Sequence, residues 1–206
     1  MTQTSFWARR IHSLSGVVPI GVFLLEHFFS NSFSTQGPAA YNDMVKKLSG
    51  LPYVLWIEVG FIFLPILFHA GYGTWIALQA RPNAVQYPFL RNWMFVLQRV
   101  TGIFLFVYIA MHVYETRYQA FLDESLKDRF FDHMKQLLSS PAYFGLYVAG
   151  ILSAAFHFAN GLWTFGIVWG ITAGQRAQRL SLYACGGIGV VVAGMGINSL
   201  MGFFAY

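Results

Sequence analysis

Apolar residues run along this chain in five long blocks, at about 11–33, 52–80, 93–116, 141–172 and 180–204, separated by stretches where polar residues, glycine and proline gather. Each block reaches the roughly 20 residues that a helix needs to cross a hydrocarbon layer of about 30 Å. In lipid a backbone must satisfy its own amides, so blocks of this length predict helices. The expected fold is an all-α membrane protein, a five-transmembrane-helix bundle forming one domain over residues 1–206. The first block follows the basic leader Phe6-Trp7-Ala8-Arg9-Arg10. It is too long for a secretory signal, contains Glu26 and His27, and lacks a small-residue cleavage pattern, so it reads as a retained helix.

Two connections are long, 34–51 and 117–140. The first is punctuated by Gly37-Pro38 and reads as a loop. The second mixes charges from Asp123 to Lys135 and suits a short amphipathic helix at the membrane surface. Leu51-Pro52 and Ser140-Pro141 read as helix starts with proline in the first turn.

Composition narrows the function. The chain is 56% hydrophobic and 10% charged over 206 residues. A soluble domain carries about 25% charged residues, and the loops are too short to hold a soluble catalytic fold. No nucleic-acid partner is expected. The single cysteine, Cys185, excludes a disulfide and a Cys-x-x-Cys-His attachment site.

Arg9, Arg10, Arg81, Arg91, Arg176 and Arg179 fall on the N-terminal side of the bundle, and Lys46, Lys47, Arg117, Lys127, Arg129 and Lys135 on the other. The short Arg-marked loops after the second and fourth blocks predict a cytoplasmic N-terminus and an outer C-terminus in the cytoplasmic membrane. Carboxylates are confined to the outer side, leaving an inner face marked by arginine alone. Such a face suits docking of an acidic partner surface or binding of anionic lipid headgroups.

The polar residues that interrupt the apolar blocks carry the chemistry. His27, His69, His112 and His157 each sit in a different block. An ionisable side chain in a bilayer is costly and by default marks function. At about 1.5 Å rise per residue, His27 and His112 lie about 6–8 Å from the outer helix ends, whereas His69 and His157 lie about 25 Å from them. Only residues at similar depth can share one ion, so the predicted pairs are His27/His112 and His69/His157. Two pairs at two depths point to two haems held by axial ligands alone, as b-type centres. Bis-histidine ligation leaves no open iron position and favours electron transfer. A lone transmembrane histidine is also an ordinary packing residue, and a haem-free histidine-relay transporter is the reading from another class. His12 and His133 lie at the inner boundary and in the outer loop, where surface roles suit them, although His12 can reach a haem propionate.

The chain repeats itself weakly. Phe68-His69-Ala70-Gly71-Tyr72-Gly73-Thr74-Trp75 matches Phe156-His157-Phe158-Ala159-Asn160-Gly161-Leu162-Trp163, and the opening of the first helix, Arg10-Ile11-His12-Ser13-Leu14-Ser15-Gly16, resembles that of the third, Arg99-Val100-Thr101-Gly102. Gly73 and Gly161 lie four residues past their histidines, on the same helix face. Gly16 lies eleven residues before His27. Glycine at these positions gives a macrocycle room against the helix; small residues also let helices pack closely.

The chain resembles the dihaem cytochrome b (b558-type) membrane anchors of succinate dehydrogenase, the succinate:quinone oxidoreductases of the Bacillus-like type. The resemblance covers almost the whole chain. Its most specific stretches are Arg91-Asn92-Trp93-Met94-Phe95-Val96-Leu97-Gln98-Arg99-Val100-Thr101-Gly102, Phe156 to Trp163, and Ser139-Ser140-Pro141-Ala142. The resemblance implies five helices, two haems b on His27, His69, His112 and His157, and a flavoprotein (FAD) and an iron–sulfur subunit docked on the cytoplasmic side. It implies a quinone, typically menaquinone, as electron acceptor. It leaves open fumarate reductase, which shares the plan. Anchors of other respiratory dehydrogenases use similar histidines, but the repeated Phe-His motif and the Arg91–Gly102 stretch argue against them.

Quinone reduction also needs protons. Glu58 lies about 9 Å into the second helix, near the level of the outer histidine pair, and is the candidate proton relay. Glu26 adjoins His27, and Glu115 is close to His112. Arg10 and Arg99 stand at the inner ends of their helices, where they suit haem propionates, the subunit interface or a snorkelling anchor.

Overall fold

The computed structural model describes residues 3–206. Among them are five helical spans long and apolar enough to cross a membrane: Phe6–Gln36, Val54–Leu78, Leu90–Leu122, Pro141–Val168 and Gln175–Gly202. Span I is built from α1 (Gln3–Val17) and α2 (Pro19–Asn31), followed by a 3₁₀ turn at Ser32–Gln36. Proline has no amide hydrogen, so Pro19 marks the joint between the two helices. The Val18 amide still donates to Leu14 at 2.9 Å, which keeps the span continuous. Next come α3 (Pro38–Ser49), then span II as α4 (Val54–Ile57), a π-helical segment (Glu58–Phe63) and α5 (Leu64–Leu78). Span III is α6 (Leu90–Val113), a second π segment (Tyr114–Tyr118) and α7 (Gln119–Leu122). After a 3₁₀ turn at Glu124–Asp128 come α8 (Phe130–Leu138), α9 (Pro141–Val168) and α10 (Gln175–Gly202).

The expected five-helix plan and the short helix in the 117–140 connection are present, with local corrections. The 34–51 connection is largely α3 rather than a loop: Gly37 takes φ 94°, and Pro38 opens the helix behind it. Pro141 starts α9 as expected, but Pro52 does not start span II, because Tyr53 adopts a left-handed φ of 59° and the helix begins at Val54. Span III runs to Leu122 instead of ending near 116, and span V begins at Gln175 instead of 180. In span II, Pro65 supplies no amide to the Phe61 carbonyl one turn back, and the π segment absorbs that gap.

Packing is tightest outside the expected hydrocarbon layer. Phe131 and Leu138 of α8 are almost fully buried, and they belong to one cluster with Tyr41 of α3, Tyr147 of α9, and Leu200 and Phe203 at the end of α10. Water drives this cap together, whereas apolar side chains between helices in lipid gain little by leaving the tails. Accordingly Trp56, Phe61, Leu78, Val107 and Val190 stay exposed along the spans. Burial also holds the Tyr41 phenol well above its usual range, so it stays a neutral donor, to Asn31 Oδ1 at 2.9 Å.

The cap is fastened to α10 by a close backbone approach. Ser34 is fully buried and donates its hydroxyl to the Ser199 carbonyl at 2.6 Å. A Cβ on Gly202 would stand 2.5 Å from Ser34 Oγ and 2.7 Å from the Ser34 carbonyl carbon and the Thr35 nitrogen. Backbone cannot swing aside as a rotamer can. Gly202→Ala is therefore expected to destabilise the protein by about 1–3 kcal/mol, read as a lower melting temperature in detergent. An unchanged melting temperature would mean that the 3₁₀ turn yields freely.

Candidate functional site

The four histidines meet in two pairs, each bridging non-adjacent spans. His27 of α2 and His112 of α6 have ring centroids 5.7 Å apart with planes at 84°. His69 of α5 and His157 of α9 stand 6.2 Å apart at 79°. These are the pairs that depth predicts from the sequence. A metal–imidazole bond is about 2 Å and a ring nitrogen lies about 1.1 Å from its centroid, so rings on opposite sides of one ion stand about 6 Å apart. Among the described residues no group of three or more His, Cys, Asp or Glu converges on one point. Two imidazoles per site fall short of a protein-only metal cage, but they are the complement that an iron already held by a macrocycle requires.

Three of the four rings, those of His69, His157 and His112, have a polar partner at Nδ1. His69 Nδ1 lies 3.0 Å from the His12 carbonyl oxygen and 3.3 Å from Ser15 Oγ. His157 Nδ1 lies 3.1 Å from Thr101 Oγ1, and His112 Nδ1 lies 3.2 Å from the Tyr147 hydroxyl. The Asn31 amide nitrogen donates to the His27 carbonyl at 2.7 Å and lies beside both ring nitrogens of His27, 3.5 Å from Nδ1 and 3.4 Å from Nε2. Ligating histidines commonly have such a partner on the far nitrogen, which sets ring orientation.

Two glycines also make room for histidines across the bundle. A Cβ on Gly16 would meet His69 Cε1 at 2.5 Å, and one on Gly102 would meet His157 Cε1 at 2.9 Å. Both clear space for a histidine on a neighbouring helix. Gly73 faces His12 Nε2 at 2.8 Å, and Gly161 faces Gln98 Nε2 at 3.7 Å. His12 is drawn into the inner site, stacked on His69 at 4.1 Å between centroids.

At the inner end, Arg10 lies 5.0 Å from the ring centroids of both Phe6 and Trp169. Arg99 covers the Phe95 ring at 3.2 Å and donates to the Phe95 carbonyl at 2.8 Å. Its Nε is buried and unpartnered. A buried donor without an acceptor costs about 1–3 kcal/mol, and a carboxylate such as a haem propionate would satisfy it. The ring spacings, the room left by Gly16 and Gly102 and this free donor fit b-type haem.

At the outer end, Glu58 accepts from Arg117 through Nε at 2.9 Å and Nη2 at 2.8 Å, a bidentate pair between spans II and III. Both partners sit in π segments, which often mark functional sites. Nearby, Glu115 accepts from the Tyr143 hydroxyl at 3.0 Å, and its carbonyl faces His133 Nε2 at 2.8 Å. The sequence reading left out Arg117, Tyr147, Ser15, Thr101 and Gly102 as site residues. Of these, Ser15, Thr101 and Gly102 were signalled by the repeat, and Arg117 by its place just past the third apolar block.

Residues 81–196 match the family of succinate dehydrogenase/fumarate reductase transmembrane subunits. The chain is also 44% identical over 198 residues to the succinate dehydrogenase cytochrome b558 subunit of Bacillus subtilis (strain 168), covering 96% of each protein. With five membrane-spanning helices and this similarity along nearly its full length, the chain belongs to the succinate dehydrogenase/fumarate reductase transmembrane subunit family.

Proposed function

We propose that this chain is the dihaem cytochrome b anchor and quinone-reducing subunit of a succinate:quinone oxidoreductase. The observation that carries the reading is the pair of interhelical histidine couples at two depths. His27 and His112 hold the outer haem b, and His69 and His157 the inner one. When bound, the two haems supply one-electron transfer between the inner and outer sides of the membrane. Ser15, Thr101 and Tyr147 brace the imidazoles, Gly16 and Gly102 leave them room, and Arg10 and Arg99 offer cations to propionates at the inner end. Gly73 and Gly161 keep the helix surface low beside the inner pair.

The chain forms a single membrane-anchor domain in the cytoplasmic membrane, with its N-terminus in the cytoplasm. Its arginine-marked inner side receives the iron–sulfur and flavoprotein subunits. Menaquinone is reduced on the outer side, where Glu58, held by Arg117, relays protons. Charge moved through 100 mV involves about 2.3 kcal/mol per elementary charge, so an outer site couples the reaction to the membrane potential. The family also includes fumarate reductases, and the same residues serve transfer in that direction.

The test is a dithionite-reduced minus oxidised spectrum of the purified chain, with haem counted per protein. Two low-spin b-type haems are expected. A colourless, folded sample made with adequate haem supply would remove the cytochrome reading and favour a histidine-relay transporter.

A further inference from the structure

The inner histidine pair is held by a device that occurs twice. Ser15 Oγ donates to the His12 carbonyl at 2.9 Å, and that carbonyl and Ser15 Oγ are the neighbours of His69 Nδ1. A carbonyl oxygen can only accept, so His69 Nδ1 carries the proton. On the other half of the repeat, Thr101 Oγ1 donates its one hydrogen to the Leu97 carbonyl at 2.7 Å. The oxygen that faces His157 Nδ1 at 3.1 Å must then accept. Both inner rings are therefore Nδ1–H tautomers with Nε2 bare. In each case the residue after the hydroxyl is the glycine whose missing Cβ admits the same ring, Gly16 for His69 and Gly102 for His157. The outer pair lacks this device. His27 faces an amide nitrogen, which only donates, and His112 faces a phenol whose hydrogen is free to turn either way.

We infer that Ser15 and Thr101 are positioning residues for the inner centre: the Thr101 hydroxyl accepts from His157 Nδ1, and the Ser15 hydroxyl holds the His12 carbonyl that accepts from His69 Nδ1, so each fixes the rotation of the histidine that the adjoining glycine admits. The inference rests on the haem-ligand reading above. An Nδ1–H bond to a fixed acceptor makes the imidazole a stronger electron donor and favours the oxidised iron, so its loss raises the midpoint potential.

The test compares Thr101→Val and Ser15→Ala with the hydroxyl-keeping Thr101→Ser and Ser15→Thr in the assembled complex. The readouts are haem content, a redox titration and electron paramagnetic resonance of the oxidised low-spin signals. The inner centre is identified as the one that His157→Ala removes. The expected result is a raised midpoint and a shifted signal for the inner centre in the hydroxyl-less variants. The outer centre stays unchanged, and wild-type behaviour returns in the hydroxyl-keeping pair. Loss of the inner haem from Thr101→Val but not from Thr101→Ser would also support the assignment. Two haems with unmoved midpoints in all four variants would overturn it, as would equal damage in the conservative and non-conservative variants. Absence of haem from the wild-type protein would instead overturn the haem-ligand reading.

Discussion

His157→Ala and His69→Ala are each expected to leave one haem per chain, and the same one, whereas His27→Ala and His112→Ala remove the other. The geometry requires this grouping. The His69 and His157 rings stand 6.2 Å apart and the His27 and His112 rings 5.7 Å apart, and in the proposed arrangement each pair holds one haem. With either histidine removed, its centre would keep only one of the two imidazoles that would hold a haem there, and the haem of that centre would be lost. Residues that act as one unit are strongly non-additive, so the His69→Ala/His157→Ala double variant should lose no more haem than either single change. A cross-pair double such as His27→Ala/His157→Ala should lose both. In the proposed arrangement the two centres act in series, so quinone reduction by the assembled complex should fall to background in all four single variants. The measurement is the reduced-minus-oxidised spectrum resolved into its two components, with haem per chain. If His69→Ala and His157→Ala bleached different components, the pairing would be wrong.

How much of this could be read along the chain depends on the range of the interaction. The five spans were legible because apolar length is a local property, and the histidine pairs because depth follows from counting residues at a fixed rise. What stayed hidden depends on contacts across helices or on a single dihedral angle. Pro52 and Pro141 look alike as helix starts, yet only Pro141 begins a helix, since Tyr53 turns left-handed after Pro52, while Pro38, which reads as part of a loop, opens α3. Gly16 looked like room for a macrocycle against its own helix, and it is also room for His69 on another. Glu58 was visible as a lone carboxylate in an apolar segment. Its partner Arg117 lies 59 residues away and looked like a loop residue because span III overran its expected end. The π segments at both positions had no local signal beyond Pro65.

Glu58→Gln is expected to abolish most quinone reduction while leaving both haems in place. The carboxylate sits near the outer end of span II, mostly buried, and is clamped by two hydrogen bonds from Arg117. A charged pair inside a membrane segment is costly and by default marks function; in the proposed site Arg117 keeps a proton-accepting carboxylate oriented. Glutamine keeps the shape and can still accept from Arg117, but it cannot carry a proton. A positioned general acid–base group contributes about 10²–10⁴-fold, so turnover with a menaquinone analogue should drop by about that factor at unchanged haem content. Electron delivery to an artificial acceptor that takes electrons ahead of this subunit should be untouched. Glu58→Asp, which keeps the acid on a shorter arm, should recover part of the rate. A purely structural ion pair predicts another pattern: Glu58→Gln and Arg117→Gln would lower the melting temperature alike, and turnover per folded complex would remain at the wild-type value.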